Sequence, residues 1–335
     1  MTNQTIKVLQ VGMGPLGVAI AKQIQKRSNV VTVGAIDIRS DLQGKTLFDL
    51  DQELESSVVI EADAQQCQKR VKADVIVLTT VSDMERIFSQ IESLAPLGMD
   101  IVSTCEELSY PWKADALLAS KIDAVAKEFG IKVLGTGINP GFLMDALPLT
   151  VSSVCQRIDH VTVTRVQNAS HRRLPFQQKI GAGLDVSTFE QKVKSKEIRH
   201  VGLAQSIEMI AQRFGWSLDK VSDEVTPVVA TQDCGSKEIR VRKGQAQGVR
   251  QIGQGFVGST EKIRMEFLAV VDASEESYDE VSIQGDLMIQ SRIQGGVQGD
   301  QGTCSVILNS IPSLLACESA GLKTMIDIPL VSFRS

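Results

Sequence analysis

Ile6-Lys7-Val8-Leu9-Gln10-Val11-Gly12-Met13-Gly14-Pro15-Leu16-Gly17 decides the fold. An apolar run passes directly into glycines spaced G-x-G-x-x-G, and Val18 to Arg27 follows as the expected helix. In a strand–turn–helix setting this spacing is a dinucleotide-binding pattern. Gly12 permits the tight turn, Gly14 lets a pyrophosphate approach the backbone, and Gly17 lets the helix pack closely on the strand. Met13, Pro15 and Leu16 complete the turn, and the pyrophosphate would lie on the free N–H groups at the positive end of the helix dipole. Alone, the glycines also fit an ordinary turn. The nucleotide reading gains from their place at the head of the chain, from the second apolar run Val30 to Ile36, and from Asp37, which ends that run. Asp37 lies twenty residues beyond Gly17, where a ribose-binding acid is expected.

The Asp37 carboxylate can accept both ribose hydroxyls of NAD. It would repel a 2′-phosphate, yet Ile38 and Arg39 follow, and Arg39 can pair with that phosphate or stack on the adenine. Both NAD and NADP therefore stay open as cofactors, and Arg39 also reads as a solvated loop charge.

The 335 residues suggest two domains, since single cores stop growing near ~250–300 residues. A net charge of −5 leaves no basic footprint for nucleic acid or an anionic membrane. No apolar run approaches the ~18 residues of a membrane span. Cysteines 67, 105, 155, 234, 304 and 317 form no C-x-x-C pair. That pattern suggests reduced thiols in a cytoplasmic protein and no metal site.

Along the first half, Val58 to Ile60 reads as a short third strand and Asp74 to Thr80 as a fourth, apolar as a strand buried on both faces should be. Thr79 and Thr80 fall at its carboxyl end, where a dinucleotide crosses. A helix from about Asp83 to Leu97 leads to a fifth strand, Asp100 to Thr104. Cys105, Glu106 and Glu107 follow it and place two acids where the nicotinamide should lie. Neighbours on extended backbone point opposite ways, so one of the two would face the cofactor. The pair reads equally as a general base that holds a cationic amine and as acids favoured by the dipole of the next helix, Lys113 to Phe129. A strand at Ile131 to Leu134 and the turn Gly135 to Asp145 close a doubly wound α/β domain.

In the second half, Leu143 to Cys155, Asp185 to Lys196 and Gly202 to Phe214 read as helices and Val161 to Val166 as a strand. Alternating segments from Glu224 to Ile293 predict a largely antiparallel sheet. A helix from Gly299 to Leu315 carries Asn309.

The chain resembles the 2,4-diaminopentanoate dehydrogenase family and the related native NAD(P)H-dependent amine dehydrogenases, within the dihydrodipicolinate-reductase-like architecture. The resemblance spans essentially the whole chain. It rests on Gly12 to Gly17, Ser103-Thr-Cys-Glu-Glu-Leu108, Gly137-Ile-Asn-Pro-Gly-Phe-Leu-Met-Asp145, Arg172 to Gly183, His200-Val-Gly-Leu203, Gly299-Asp-Gln-Gly-Thr303 and Gly321 to Pro329. It implies a Rossmann domain over residues 1–140 and an α+β substrate and dimerisation domain over 141–300. Residues 301–335 would form a helix and tail that return to the first domain. It further implies a homodimer and reversible amination of a ketone or aldehyde with ammonia. A glutamate after strand five would be the catalytic acid/base, with Glu106, nearer the strand end, favoured over Glu107. Cofactor contacts are expected from Thr79, Thr80, Cys105 and Asn139, and from Asn309, which reads equally as a buried helix-capping residue; substrate contacts are expected from Asn139, Phe142, Leu143, Ala169, His171, Arg172 and Phe176. His171 and His200 read first as surface or packing residues. True dihydrodipicolinate reductases carry adjacent histidines and a Lys-x-Asp-Ala-Pro-Ser-Gly-Thr motif, both missing here. The readings kept beside amine dehydrogenase are 2,4-diaminopentanoate dehydrogenase and a non-catalytic nucleotide-binding protein.

Overall fold

The computed structural model describes residues 5–274 and 276–334. The chain begins β1 (Ile6–Val11), α1 (Pro15–Gln25), β2 (Val30–Ile36), α2 (Leu47–Leu50), β3 (Ile60–Glu61) and α3 (Ala64–Val71). It continues β4 (Val75–Leu78), α4 (Met84–Leu94), β5 (Asp100–Ser103), α5 (Ala116–Glu128) and β6 (Lys132–Gly135). Then come α6 (Ala146–Val151), β7 (Ile158–Asn168), α7 (Leu174–Lys179), α8 (Val186–Lys194), α9 (Leu203–Phe214) and β8 (Lys220–Val229). After these come β9 (Cys234–Gly235), β10 (Arg240–Val241), β11 (Ala246–Val257), β12 (Thr260–Val270), β13 (Tyr278–Gly285) and β14 (Met288–Gln294), and the chain closes with α10 (Gly299–Leu315) and β15 (Gly321–Lys323). Two units result: Leu143–Val297 is one, and the residues before and after it form the other.

In the first unit the sheet order is β15-β6-β5-β4-β1-β2-β3, and every pair is parallel. The chain runs outward from β1 to β3 and crosses back to β4, so the order reverses between β1 and β4. Ligands of such sheets bind at this switch point, outside the carboxyl ends. The register sets those ends level. Val11 pairs with Ile36 and Leu78, Leu78 with Ser103, and Ser103 with Gly135. Gly12, Asp37, Thr79, Thr104 and Thr136 therefore leave the sheet along one line.

All four residues of β4 are fully buried, because helices cover both faces. Cys67 of α3, Ile87 and Ile91 of α4 and Ile122 of α5 pack with Ile76, Leu78 and Ile101. On the other side α1 meets α10. Three features depart from the sequence reading. The strand expected at Val58 to Ile60 shrinks to β3, because Val59 instead bridges Thr46. Helix α3 was not foreseen. Its apolar residues are few, buried Cys67 with part-buried Ala64 and Val71 against the core, and it starts at Asp63, whose carboxylate accepts the Gln65 and Gln66 N–H groups. The tail adds β15 as a seventh strand beside β6.

The second unit holds a sheet ordered β14-β13-β7-β12-β11-β8, antiparallel except for the β7–β12 pair. Phe189 of α8 packs with Val249, Phe267 and Ala269 on one face, and Leu203 and Ile207 of α9 lie over Gly253 and Gly255. Residues of the opposite face are part-exposed and carry the Arg250–Glu266 and Arg292–Glu280 ion pairs. The helix expected from Leu143 starts later, because Asp145 is its N-cap: Oδ1 accepts the Ala146 N–H at 2.6 Å and Oδ2 the Ser206 hydroxyl at 2.7 Å.

Candidate cofactor and active site

The glycine turn joins β1 to α1. Gly12 has φ +96°, and a Cβ there would stand 2.7 Å from the Thr79 carbonyl oxygen. A Cβ on Gly17 would stand 2.1 Å from the Gly12 carbonyl oxygen, so the close approach expected at this position is to the turn itself. Thr79 Oγ1 donates to that same carbonyl at 2.7 Å. Gln10 Nε2 donates to the Gly17 carbonyl at 3.0 Å while its Oε1 accepts from Thr32 Oγ1 at 2.9 Å. Sequence reasoning passed over Gln10; a single amide in an apolar strand was its signal. A Cβ on Gly14 would meet nothing within 4 Å. Gly14 is the N-cap of α1, no side chain caps the helix, and Pro15 opens it. An open approach over uncapped first-turn N–H groups fits a dinucleotide pyrophosphate, which Gly14, Leu16 and Gly17 would hold through backbone N–H groups.

Met13 contributes differently from expectation. Its side chain is buried in the core, and both of its backbone polar groups are engaged. The Met13 N–H donates to Asp37 Oδ2 at 2.8 Å, and its carbonyl accepts Arg39 Nη2 at 2.9 Å. Asp37 also accepts Arg39 Nη2 on Oδ2 at 3.0 Å, and the Arg39 N–H and Nε on Oδ1 at 2.9 and 3.0 Å. Burial alone would raise the Asp37 carboxyl, but the Arg39 guanidinium and the two backbone donors hold it below the usual carboxylate range. Ile38, between them, is 90% exposed.

At the end of β4, Thr80 Oγ1 donates to Gln90 Oε1 at 2.5 Å. At the end of β5 the chain turns through a short 3₁₀ segment, Glu106–Leu108. Cys105 is fully buried, and burial pushes its thiol up to about 12. Glu107 Oε2 accepts the Met84 N–H at 3.0 Å, at the start of α4. Asp83 accepts the Arg86 N–H of the same turn. Glu106 is half-buried, and its carboxylate makes no hydrogen bond or ion pair among the described residues. Its carbonyl accepts the Ser109 N–H and hydroxyl, which fixes the backbone beneath it.

Beyond β6, Asn139 is 9% exposed and Phe142 is half-buried. The Ile138 N–H donates to Thr303 Oγ1 at 3.3 Å, so the first turn of α10 meets this loop. Asn309 is corrected: its Oδ1 accepts Arg27 Nη1 at 2.8 Å, beyond the far end of α1 from Gly14. Six residues of helix rise, about 9 Å, separate it from Thr303, which meets the loop beyond β6.

In the second unit, Leu143 and Ala169 are buried in the core, so neither presents a surface as expected. His171 is exposed, and Arg172 stacks on Phe176 at 4.2 Å. His200 packs on Phe267 at 4.8 Å between ring centroids, and Gln251 binds its backbone N–H and carbonyl at 2.6 and 3.0 Å. Burial, aided by the charges of Arg165 and Lys179, pushes His200 down to about 3, so it stands neutral. Among the described residues, no cluster of three or more His, Cys, Asp or Glu could hold a metal, and no helix is long and apolar enough to cross a membrane.

Residues 142–333 match the family model of the 2,4-diaminopentanoate dehydrogenase C-terminal domain. The 2,4-diaminopentanoate dehydrogenase of Acetoanaerobium sticklandii is 30% identical over 338 aligned residues, covering 98% of this chain and 94% of that protein. The chain belongs to the 2,4-diaminopentanoate dehydrogenase family. Membership makes it an NAD(P)-dependent dehydrogenase that acts on an amine. Among solved structures, an amine dehydrogenase from Mycobacterium smegmatis shares the fold with a TM-score of 0.83 at 22% identity, over 98% of this chain and 97% of that one. An apo scyllo-inositol dehydrogenase from Lactobacillus casei is a more distant likeness, with a TM-score of 0.57 at 16% identity over 98% and 93% of the two chains. The resemblance drawn from the sequence motifs thus agrees with the family that the comparisons show.

Proposed function

We propose that the chain catalyses reversible reductive amination of a ketone or aldehyde with ammonia, with Glu106 as acid/base. The observation that carries this reading is the division of labour after β5. Glu107 is committed to the Met84 N–H, while Glu106 has no side-chain partner among the described residues. Glu106 as a carboxylate holds ammonium and takes one proton from it, so that neutral ammonia attacks the carbonyl carbon. It then gives the proton to the carbinolamine hydroxyl, which leaves as water. Ionised again, it stabilises the iminium that remains. The bound nicotinamide supplies the hydride. In sum, ketone, ammonium, reduced cofactor and one proton give the protonated amine, water and oxidised cofactor. Cys105 cannot share this role, since its buried thiol does not ionise near neutral pH.

Within the first unit, Asn139 and Phe142 are our candidates for contacts with the organic substrate. A diamino acid substrate, as the name of the Acetoanaerobium relative indicates for that protein, is the second reading. We also infer a homodimer built on the second unit's sheet, supported by the part-exposed face that bears the Arg250–Glu266 and Arg292–Glu280 pairs. A cytoplasmic location is supported by six free cysteines.

The test is NADH and NADPH oxidation with ammonia across a panel of small ketones, beside NAD(P) reduction with 2,4-diaminopentanoate. Ammonia-dependent turnover of a ketone supports the first reading, turnover of the diamino acid alone supports the second, and no turnover of either contradicts both.

A further inference from the structure

An acid at the end of the second strand is ordinarily the group that accepts the ribose hydroxyls of NAD and repels a 2′-phosphate. Asp37 is not arranged for that. A carboxylate has about four acceptor positions, two on each oxygen. Here the Arg39 N–H and Nε take Oδ1, and the Met13 N–H and Arg39 Nη2 take Oδ2. The carboxylate is 7% exposed and its acceptor positions are filled by protein donors. To accept a ribose diol it would have to break the fork to Arg39, and such charge-assisted, two-point pairs are among the stronger hydrogen bonds.

Arg39 is placed the other way round. Its Nε and Nη2 face inward, to Asp37 and to the Met13 carbonyl, while the side chain is 49% exposed. The Nη1 edge makes no hydrogen bond among the described residues. Together the pair carries no net charge, so the repulsion expected from Asp37 is cancelled. The same fork fixes the direction of the guanidinium and ties it to the glycine turn through both backbone groups of Met13.

We infer that Asp37 is a positioning residue for Arg39, that Arg39 reads the adenosine 2′-end through its outward edge, and that the site prefers the 2′-phosphorylated cofactor. The ordinary reading and this one disagree in sign. If Asp37 is a ribose acceptor that repels phosphate, removing its charge raises NADPH affinity relative to NADH. If Asp37 anchors Arg39, removing its charge lowers NADPH affinity relative to NADH.

The experiment is a fluorescence titration of the full-length wild type, Asp37→Asn and Arg39→Ala with NADPH and NADH. Competition by 2′,5′-ADP and 5′-AMP supplies the adenosine end alone. We expect Asp37→Asn to lower the NADPH-to-NADH affinity ratio about tenfold, as loss of a charged hydrogen bond would. We expect Arg39→Ala to lower it at least as far, with the ADP-to-AMP ratio moving in parallel. Because each result is a ratio within one variant, a general loosening of the turn weakens both ligands and leaves the ratio alone. An unchanged or raised ratio in Asp37→Asn overturns the inference. The inference rests on the glycine turn being the cofactor site: failure of the wild type to bind either dinucleotide would overturn that reading too, whereas binding with the opposite ratio overturns only the assignment of Asp37.

Discussion

Glu107 accepts the backbone N–H of Met84 at 3.0 Å, so one of two adjacent acids serves as a cap for the helix that returns from β4. A first-turn N–H lacks an intrahelical partner, and a carboxylate there satisfies both the donor and the helix dipole. Glu107→Ala should therefore destabilise the fold by about 1 kcal/mol while turnover stays near wild type. Urea unfolding and steady-state rates check this together. Full stability with lost turnover would reassign the pair.

At the glycine turn the second and third glycines should fail in different ways. Gly14 has open space where a side chain would stand, so Gly14→Val should fold normally and lose cofactor binding. At Gly17 a Cβ would collide with the Gly12 carbonyl, so Gly17→Ala should also lose about 1–3 kcal/mol of stability. Thermal melts with NADPH titrations separate the cases. Intact NADPH affinity in Gly14→Val would contradict the cofactor site.

His200 gives a pH dependence. Its folded-state pKa is pushed down to about 3, chiefly by burial, against about 6.5 in an unfolded chain. Between those values the unfolded chain takes up a proton that the native state does not. The stability tied to neutral His200 is thus fully present above about pH 6.5 and falls as pH drops, by about 1.4 kcal/mol at pH 5.5. His200→Gln removes that titration, so its stability should fall less than wild type's between pH 7.5 and 5.5 in urea unfolding. Parallel profiles would contradict the buried, neutral histidine.

Much of the first unit was legible in the sequence because its signals are local. A four-residue apolar run such as Val75–Leu78 and a glycine turn before a helix need no tertiary information. What escaped was set by distant partners. Gly321–Lys323 carries no strand pattern of its own and becomes β15 only beside β6. Asn309 looked like a polar group on a helix near the site, and only the packing of α10 along α1 shows that it meets Arg27. Within the site, position alone favoured Glu106 over Glu107, and what the sequence did not show is that Glu107 accepts an N–H at the start of α4, some twenty residues earlier in the chain. Asp37 and Arg39 were read as opposing influences on the cofactor, whereas the fork between them makes them one unit.

In the proposed reaction Glu106 carries the proton chemistry. Glu106→Gln keeps the shape of the side chain and removes both its charge and its basicity, and no structural hydrogen bond among the described residues depends on that carboxylate. The measurement is the steady-state rate of ammonia-dependent amination by Glu106→Gln, with the NADPH dissociation constant and the melting temperature taken on the same sample. The rate should fall by about 10²–10⁴-fold, with cofactor affinity and melting temperature unchanged. Wild-type turnover by Glu106→Gln would contradict it.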